Sequence, residues 1–228
     1  MKTIACYHAH HANIEAIEQA LMEYEVELVH YVDPGLDRIK RDADFRTAEA
    51  ERKVVETLNW MTRCHADALL ITCTYFAAML KEEERVPAND ALPSIPVIAI
   101  DEPLFAEAAR ENRSLVFVFT NPSTVEGTMK RLSSYAKQAG SEVQAEHDML
   151  DGTFELFMRG RTEEYHTAVA DGLSRLVRQR PNAAIYAAQL SMATAARRVE
   201  RTTGVRIGNP LDALMSRLEQ AVQLERRR

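Results

Sequence analysis

Two stretches of this chain repeat one pattern at nearly one spacing, and that repeat limits the folds open to it. From "TIACY" at Thr3 to "ALLITC" at Ala68 is about 65 residues, and from "LVFVF" at Leu115 to "AAIYAAQ" at Ala183 about 68, an agreement unrelated segments would rarely show. Short apolar runs alternate with amphipathic segments, the pattern of strands exchanging with helices in an α/β fold with parallel sheets. The first half predicts strands near 2–8, 26–32, 68–73 and 96–100, and helices near 13–23, 45–65, 75–84 and 103–111. The second half restarts with strands near 115–120, 142–147, 183–188 and 205–208, and helices near 123–139, 162–179, 190–203 and 210–226. Ser123 and Thr162 stand where helix N-caps are wanted, and Gly140 and Gly204 follow helical runs as C-cap candidates.

Aligning Ala68 with Ala184 sets Cys73 opposite Gln189, and "IPVIAIDEPLFAEA" opposite "VRIGNPLDALMSRL". The expectation is a first α/β lobe over 1–112, joined by the C-terminal helix 210–228, and a second over 113–209. No Ser/Gly-rich linker separates them, so the lobes are expected to pack together around an active-site cleft. The segment 85–95, with Pro87, Asn89, Asp90 and Pro93, reads as a flexible loop.

Composition narrows the function classes. A chain of 228 residues, 46% of them hydrophobic, can bury a substantial core. A net charge of -6 argues against nucleic-acid or anionic-membrane surfaces. Cys6, Cys64 and Cys73 are too few for a disulfide framework, which fits a reducing compartment. The apolar run in "MKTIACYHAHH" is too short for a signal peptide, and nothing approaches the roughly 20 apolar residues of a membrane span, so the cytoplasm is the expected location. A homo-oligomer is compatible with these features. No GxGxxG and no phosphate-binding GxxxxGK[ST] occurs, so the site is expected to need no cofactor.

In parallel sheets ligands bind beyond the carboxyl ends of strands. Four polar joints follow apolar strands there: "CYHAHHAN", "CTYF", "TNPST" and "QLSM". Cys73 would sit at a helix start, where the dipole favours a thiolate able to act as base or nucleophile; packing as a small hydrophobe is the plainer role of such a residue. Cys6, inside a strand, and Cys64, late in a helix, read as packing residues. Thr120, Asn121, Ser123 and Thr124 offer hydroxyls, an amide and N–H groups in one turn, suited to a carboxylate or simply to capping a helix. In "HAHH", His8 and His10 would share a face and line the cleft. No second cluster repeats a ligand spacing, so no metal site is expected.

These residues together resemble the aspartate/glutamate racemase superfamily, which includes hydantoin racemases, maleate isomerases and arylmalonate decarboxylases. "ADALLITCTYF" resembles its first cysteine joint, "IPVIAIDEPLFAEAA" the following strand and helix, "FVFTNPSTVEGT" its threonine-rich carboxylate turn and "AIYAAQLSMA" its second joint. The resemblance implies two Rossmann-like lobes related by a pseudo-twofold, a small carboxylate-type substrate in the cleft between them, and no cofactor. Members that racemise use a cysteine from each lobe, whereas this chain has Gln189, Leu190 and Ser191 at the second joint, and Cys-Thr-Tyr where the first commonly reads Cys-Asn-Thr. Three readings follow. One is a single-thiol isomerase or lyase, with Cys73 and Gln189 at the reacting centre and His8, His10, Thr74, Tyr75, Thr120, Asn121, Ser123, Thr124, Ser191 and Met192 around the substrate. The others are a racemase or epimerase with a histidine of 8–11 as second base, and a small-molecule binding protein without chemistry.

Overall fold

The structure, a computed structural model, describes residues 1–39, 42–80 and 95–227. Apart from Ile95, the loop predicted over 85–95 lies outside the described residues, as does the end of the helix predicted over 75–84. The chain groups into two compact units, residues 1–100 with 215–228, and residues 101–214.

In the first unit, β1 (Lys2–His8), β2 (Val26–Val32), β3 (Ala68–Ile71) and β4 (Val97–Ala99) form a parallel sheet in the order β2-β1-β3-β4. Helices α1 (Ala12–Leu21), α2 (Pro34–Ile39), α3 (Thr47–Thr62) and α4 (Thr74–Ala78) fill the crossovers. α3 buries Ala50, Val54, Leu58 and Met61, the spacing of one helical face, against Ala5 and Tyr7 of β1 and Leu69 and Ile71 of β3. Side chains alternate along a strand, so Ile4, Cys6 and His8 point to the opposite face. α2 is an addition to the predicted elements. Pro34 is tolerated in a first helical turn and the Asp33 carboxylate accepts the Gly35 N–H at 3.0 Å, so these residues start a helix.

The second unit repeats the plan, with β5 (Leu115–Phe119), β6 (Ala145–Met149), β7 (Ala184–Ala187) and β8 (Ile207–Gly208) parallel in the order β6-β5-β7-β8. Its helices are α5 (Glu102–Ala108), α6 (Val125–Gln138), α7 (Thr153–Met158), α8 (Thr162–Gln179) and α9 (Ala193–Thr203), with 3₁₀ turns at Pro122–Thr124 and Leu190–Met192. β5, "LVFVF", is buried on both faces. Val116 and Val118 meet α8 and α9, while Leu115, Phe117 and Phe119 meet Leu104, Phe105 and Ala108 of α5 and Leu132 of α6. That packing places α5 in the second unit, whereas a boundary near 112 had assigned it to the first. β6 begins at Ala145 rather than 142, in register with Leu115, and α7 was not predicted.

Gly204 ends α9 with φ 71°, and Gly140 follows α6 with φ 70°, a left-handed conformation glycine adopts at low cost. The two predicted N-caps differ from the structure. Thr162 is the first residue of α8, behind Arg161, and it is Asn121, not Ser123, whose side chain closes the turn before α6. α10 (Pro210–Val222) starts among second-unit residues and ends with the first unit, where the Tyr24 hydroxyl donates to Glu219 and the Arg227 N–H donates to the Glu23 carbonyl at 2.8 Å. No helix among the described residues is long and apolar enough to cross a membrane.

Gly208 lies against Tyr186, whose ring stacks on Phe117 with centroids 5.0 Å apart. A methyl group at Gly208 would collide with the Tyr186 ring. Gly208→Ala is therefore expected to lower unfolding free energy by about 1–3 kcal/mol in urea titrations, the usual cost of overpacking.

Candidate active site

Both crossovers that leave the central region of a sheet place polar residues at the strand's carboxyl end. In the first unit the Thr72 N–H donates to the Tyr7 carbonyl at 3.0 Å, and Cys73 follows in an extended conformation (φ -105°, ψ 115°) before α4. The Cys73 carbonyl accepts the Ala77 N–H at 3.0 Å, so the residue stands at the N-cap. Its side chain is partly buried, and with Tyr75 it packs on the α3 side of the core; Thr74 is also partly exposed. Close by, the Tyr7 hydroxyl lies 3.5 Å from Asp33 Oδ2, and burial, with smaller contributions from the charges of Asp33 and Cys73, lifts this phenol well above the ordinary tyrosine range. Two cavities of about 470 and 490 Å³ share Asp33 and Lys53 in their walls, one also lined by Leu36 and Phe45 and the other by Tyr7 and Trp60.

The histidines of the first joint divide by burial. His8 is fully buried, with Nδ1 2.8 Å from Thr72 Oγ1 and Nε2 2.9 Å from His30 Nδ1. Burial first, then the neighbouring His30, lower its pKa to about 4, so His8 is neutral near pH 7 and serves the interior of the unit rather than an open surface. His10 is exposed, stacks on His11 at 4.3 Å, and accepts the Ala12 N–H on Nδ1 at 3.1 Å. Cys6 is buried and its thiol is pushed up to about 12 by that burial. Cys64 departs from the packing role predicted for it: it lies just beyond the end of α3, exposed, 3.4 Å from the Trp60 carbonyl.

The second unit builds a tighter network. Gln189 Oε1 accepts from the Thr120 N–H at 2.7 Å, the Thr120 hydroxyl at 2.9 Å and the Asn121 N–H at 3.1 Å. Asn121 Oδ1 accepts from the Ser123 N–H at 3.0 Å and its hydroxyl at 2.8 Å, and the Thr124 hydroxyl donates to the Asn121 carbonyl at 2.9 Å. The hydroxyls of Ser123 and Thr124 are therefore spent in closing their own turn. Three donors converging on one oxygen also settle which end of the Gln189 amide is which, and direct its NH₂ away from the turn. Behind Thr120 lies Tyr165, 3.3 Å from its hydroxyl and 2.8 Å from Ser191 Oγ. Met192 is fully buried in the core with Ala195 and Val199, so its side chain does not reach the surface of the joint.

Tyr165 was not among the predicted site residues. Its signal is faint: a tyrosine on the apolar stripe of α8, where a buried hydroxyl needs a partner.

A family model described as Asp/Glu/Hydantoin racemase matches residues 3–218, spanning both joints and both sheets. The chain belongs to the Asp/Glu/hydantoin racemase family. It is accordingly an enzyme of the racemase superfamily. No curated protein matches the sequence. Among solved structures, an allantoin racemase from Klebsiella pneumoniae superposes with a TM-score of 0.71 at 20% identity, covering 98% of this chain and 88% of that one. An aspartate racemase from Picrophilus torridus gives 0.66 at 11%, covering 100% and 96%. Unliganded arylmalonate decarboxylase gives 0.58 at 13%, covering 97% and 93%. At these identities the likenesses show the two-sheet α/β fold.

Gln189→Ala is expected to strand the Thr120 and Asn121 N–H donors and to cost about 1–3 kcal/mol of stability, measurable by chemical denaturation.

Proposed function

We propose that the protein is a single-thiol enzyme acting on a small carboxylic acid or related carbonyl compound, with Cys73 as the acid/base or nucleophile and Gln189 as a fixed hydrogen-bond donor. The observation that carries this reading is the anchoring of Gln189 Oε1 by three donors of the 120–121 turn. A carboxamide does not titrate in the working range, so the position opposite Cys73 in the repeat supplies no second base. What it supplies is an oriented NH₂, whose rotation would break three hydrogen bonds. Such a preorganised donor suits a carbonyl or carboxylate oxygen that gains charge as a proton leaves, or arrives at, the neighbouring carbon. Cys73, partly exposed at a strand end, is the thiol placed to move that proton; Cys6 is buried and its thiol is held protonated.

The 120–124 turn enters the proposal with a changed role. Its Thr120 and Asn121 amides hold Gln189, and Tyr165, hydrogen-bonded to Ser191, braces Thr120 from behind, so the turn positions the donor while Asn121, Thr74 and Tyr75 are the polar groups proposed to meet a substrate carboxylate. The alternative is a racemase whose second base is His10, favoured by the exposure of that ring just beyond β1 and by family membership. Deuterium uptake in D₂O distinguishes the two: a single-thiol enzyme exchanges or protonates the substrate carbon on one face, and a racemase scrambles both.

The proposal is tested by screening small carboxylates for turnover and then assaying two variants. Cys73→Ser is expected to lower kcat by about 10²–10⁴. Gln189→Glu keeps an acceptor for the three donors but replaces the NH₂ with a negative oxygen, so kcat/KM is expected to fall about 10²–10³ while the melting temperature holds. Full activity in Gln189→Glu would refute the donor role. In a Cys64→Ser background, iodoacetamide is expected to alkylate Cys73 in the native protein, with protection by small dicarboxylates. A Cys73 that reacts only on unfolding would move the reading to a binding protein.

A further inference from the structure

The register of β1 and β2 gathers three metal-competent side chains on one face of the first sheet. Cys6 and His8 are two positions apart on β1, and Cys6 pairs with His30 across the strands, so all three side chains leave the sheet on the same side. One ligand atom from each lies within 4.8 Å of the other two. Cys6 and His8 are fully buried, and the His30 side chain is 14% exposed. The inward nitrogens, His8 Nε2 and His30 Nδ1, face each other at 2.9 Å.

The outward nitrogens have oxygens to meet. His8 Nδ1 lies 2.8 Å from Thr72 Oγ1, which is itself held by Asn13 Nδ2 and by the Tyr7 carbonyl. His30 Nε2 is a buried atom without a hydrogen-bond partner among the described residues, with the Glu18 carboxylate of α1 3.7 Å away. Metal-binding imidazoles characteristically give their outer N–H to a hydroxyl, carbonyl or carboxylate, which fixes the tautomer that presents a lone pair inward. His8 has that arrangement, while the outer nitrogen of His30 has no hydrogen-bond partner among the described residues and has a carboxylate 3.7 Å away; the thiol stands beside both rings.

We propose that Cys6, His8 and His30 form a binding site for a divalent cation of the zinc class, through Cys6 Sγ, His8 Nε2 and His30 Nδ1, with solvent in the fourth position. Zinc bonds of about 2.0–2.3 Å set ligand atoms about 3.3–3.8 Å apart, so the facing nitrogens need to separate by about half an ångström and the thiol, within 4.8 Å of them, to close in by up to about 1 Å. Each imidazole then stays neutral with its hydrogen on the outer nitrogen, towards Thr72 or Glu18. The Cys6 thiol gives its proton to solvent, so binding releases one proton. The site is separate from the chemistry proposed for Cys73 and stands without it.

The test uses the full chain stripped with a chelator and titrated with Zn²⁺ or Co²⁺ alone. Expected are one equivalent bound, a melting temperature raised by about 5 °C or more at a hundredfold excess over Kd, and a thiolate-to-cobalt charge-transfer band. That band should survive Cys64→Ser and Cys73→Ser and vanish in Cys6→Ala. Because Cys6 lies in the core, His30→Gln, at a partly exposed position, provides a second variant, expected to weaken Zn²⁺ binding at least tenfold. Glu18→Gln, on the exposed face of α1, should weaken it less. Absence of binding at micromolar metal, or a cobalt complex that lacks the thiolate band or persists in Cys6→Ala and His30→Gln, as binding at His10 and His11 would give, overturns the proposal.

Discussion

Both sheets are parallel throughout, and that constraint governs where everything else lies. A parallel strand cannot be joined to its neighbour by a tight turn, so each crossover carries a helix and both sheet faces are covered. Covered faces demand strands apolar on both sides, which is why β3 and β5 read as unbroken runs and are buried along their whole length. Polar chemistry is thereby displaced to the carboxyl ends of the strands. Cys73 follows β3 and Gln189 follows β7, strands holding the same place in two sheets of the same order.

The few polar groups inside these cores are held in chains of hydrogen bonds, and the chains differ between the units. In the second, Gln189, Thr120, Tyr165 and Ser191 form a linked series in which each hydroxyl has a partner. Such a network makes a rigid mount, because a low dielectric raises the cost of breaking any member. In the first, hydrogen bonds link Thr72 to His8 and His8 to His30, with the Glu18 carboxylate of α1 3.7 Å beyond and a thiol alongside. Burial keeps those histidines neutral by disfavouring the charged form. One duplicated framework thus carries an anchored amide in one half and a group of two imidazoles and a thiol in the other.

Much of the fold was legible because hydrophobic periodicity is a local property. The strands at 2–8 and 26–32 were predicted to the residue, and the matched joints at Cys73 and Gln189 followed from spacing alone. The predictions that failed involved competition between local and distant partners. The short helix α2 at Pro34–Ile39 was not predicted, and Leu104 and Phe105 of α5 pack with Phe117 and Phe119, which present a matching apolar face. Met192 and His8 were read as cleft residues from their nearness to a joint, yet a residue one position along a turn can point into the core instead of out of it.

The sequence by itself determined the class of fold, the duplication and the two polar joints, one carrying Cys73 and the other an amide that cannot act as a base. These are matters of residue type and period, and they need no neighbours. Only the tertiary structure decided how that amide is held, since the donors to Gln189 Oε1 come from a turn 68 or 69 residues away. It also decided that Cys6 and His8 meet His30, 22 residues beyond His8, through the pairing of two strands. Hydrogen-bond partners and ligand sets depend on distances of a few ångströms between segments far apart in the chain, and only the packed register fixes those distances.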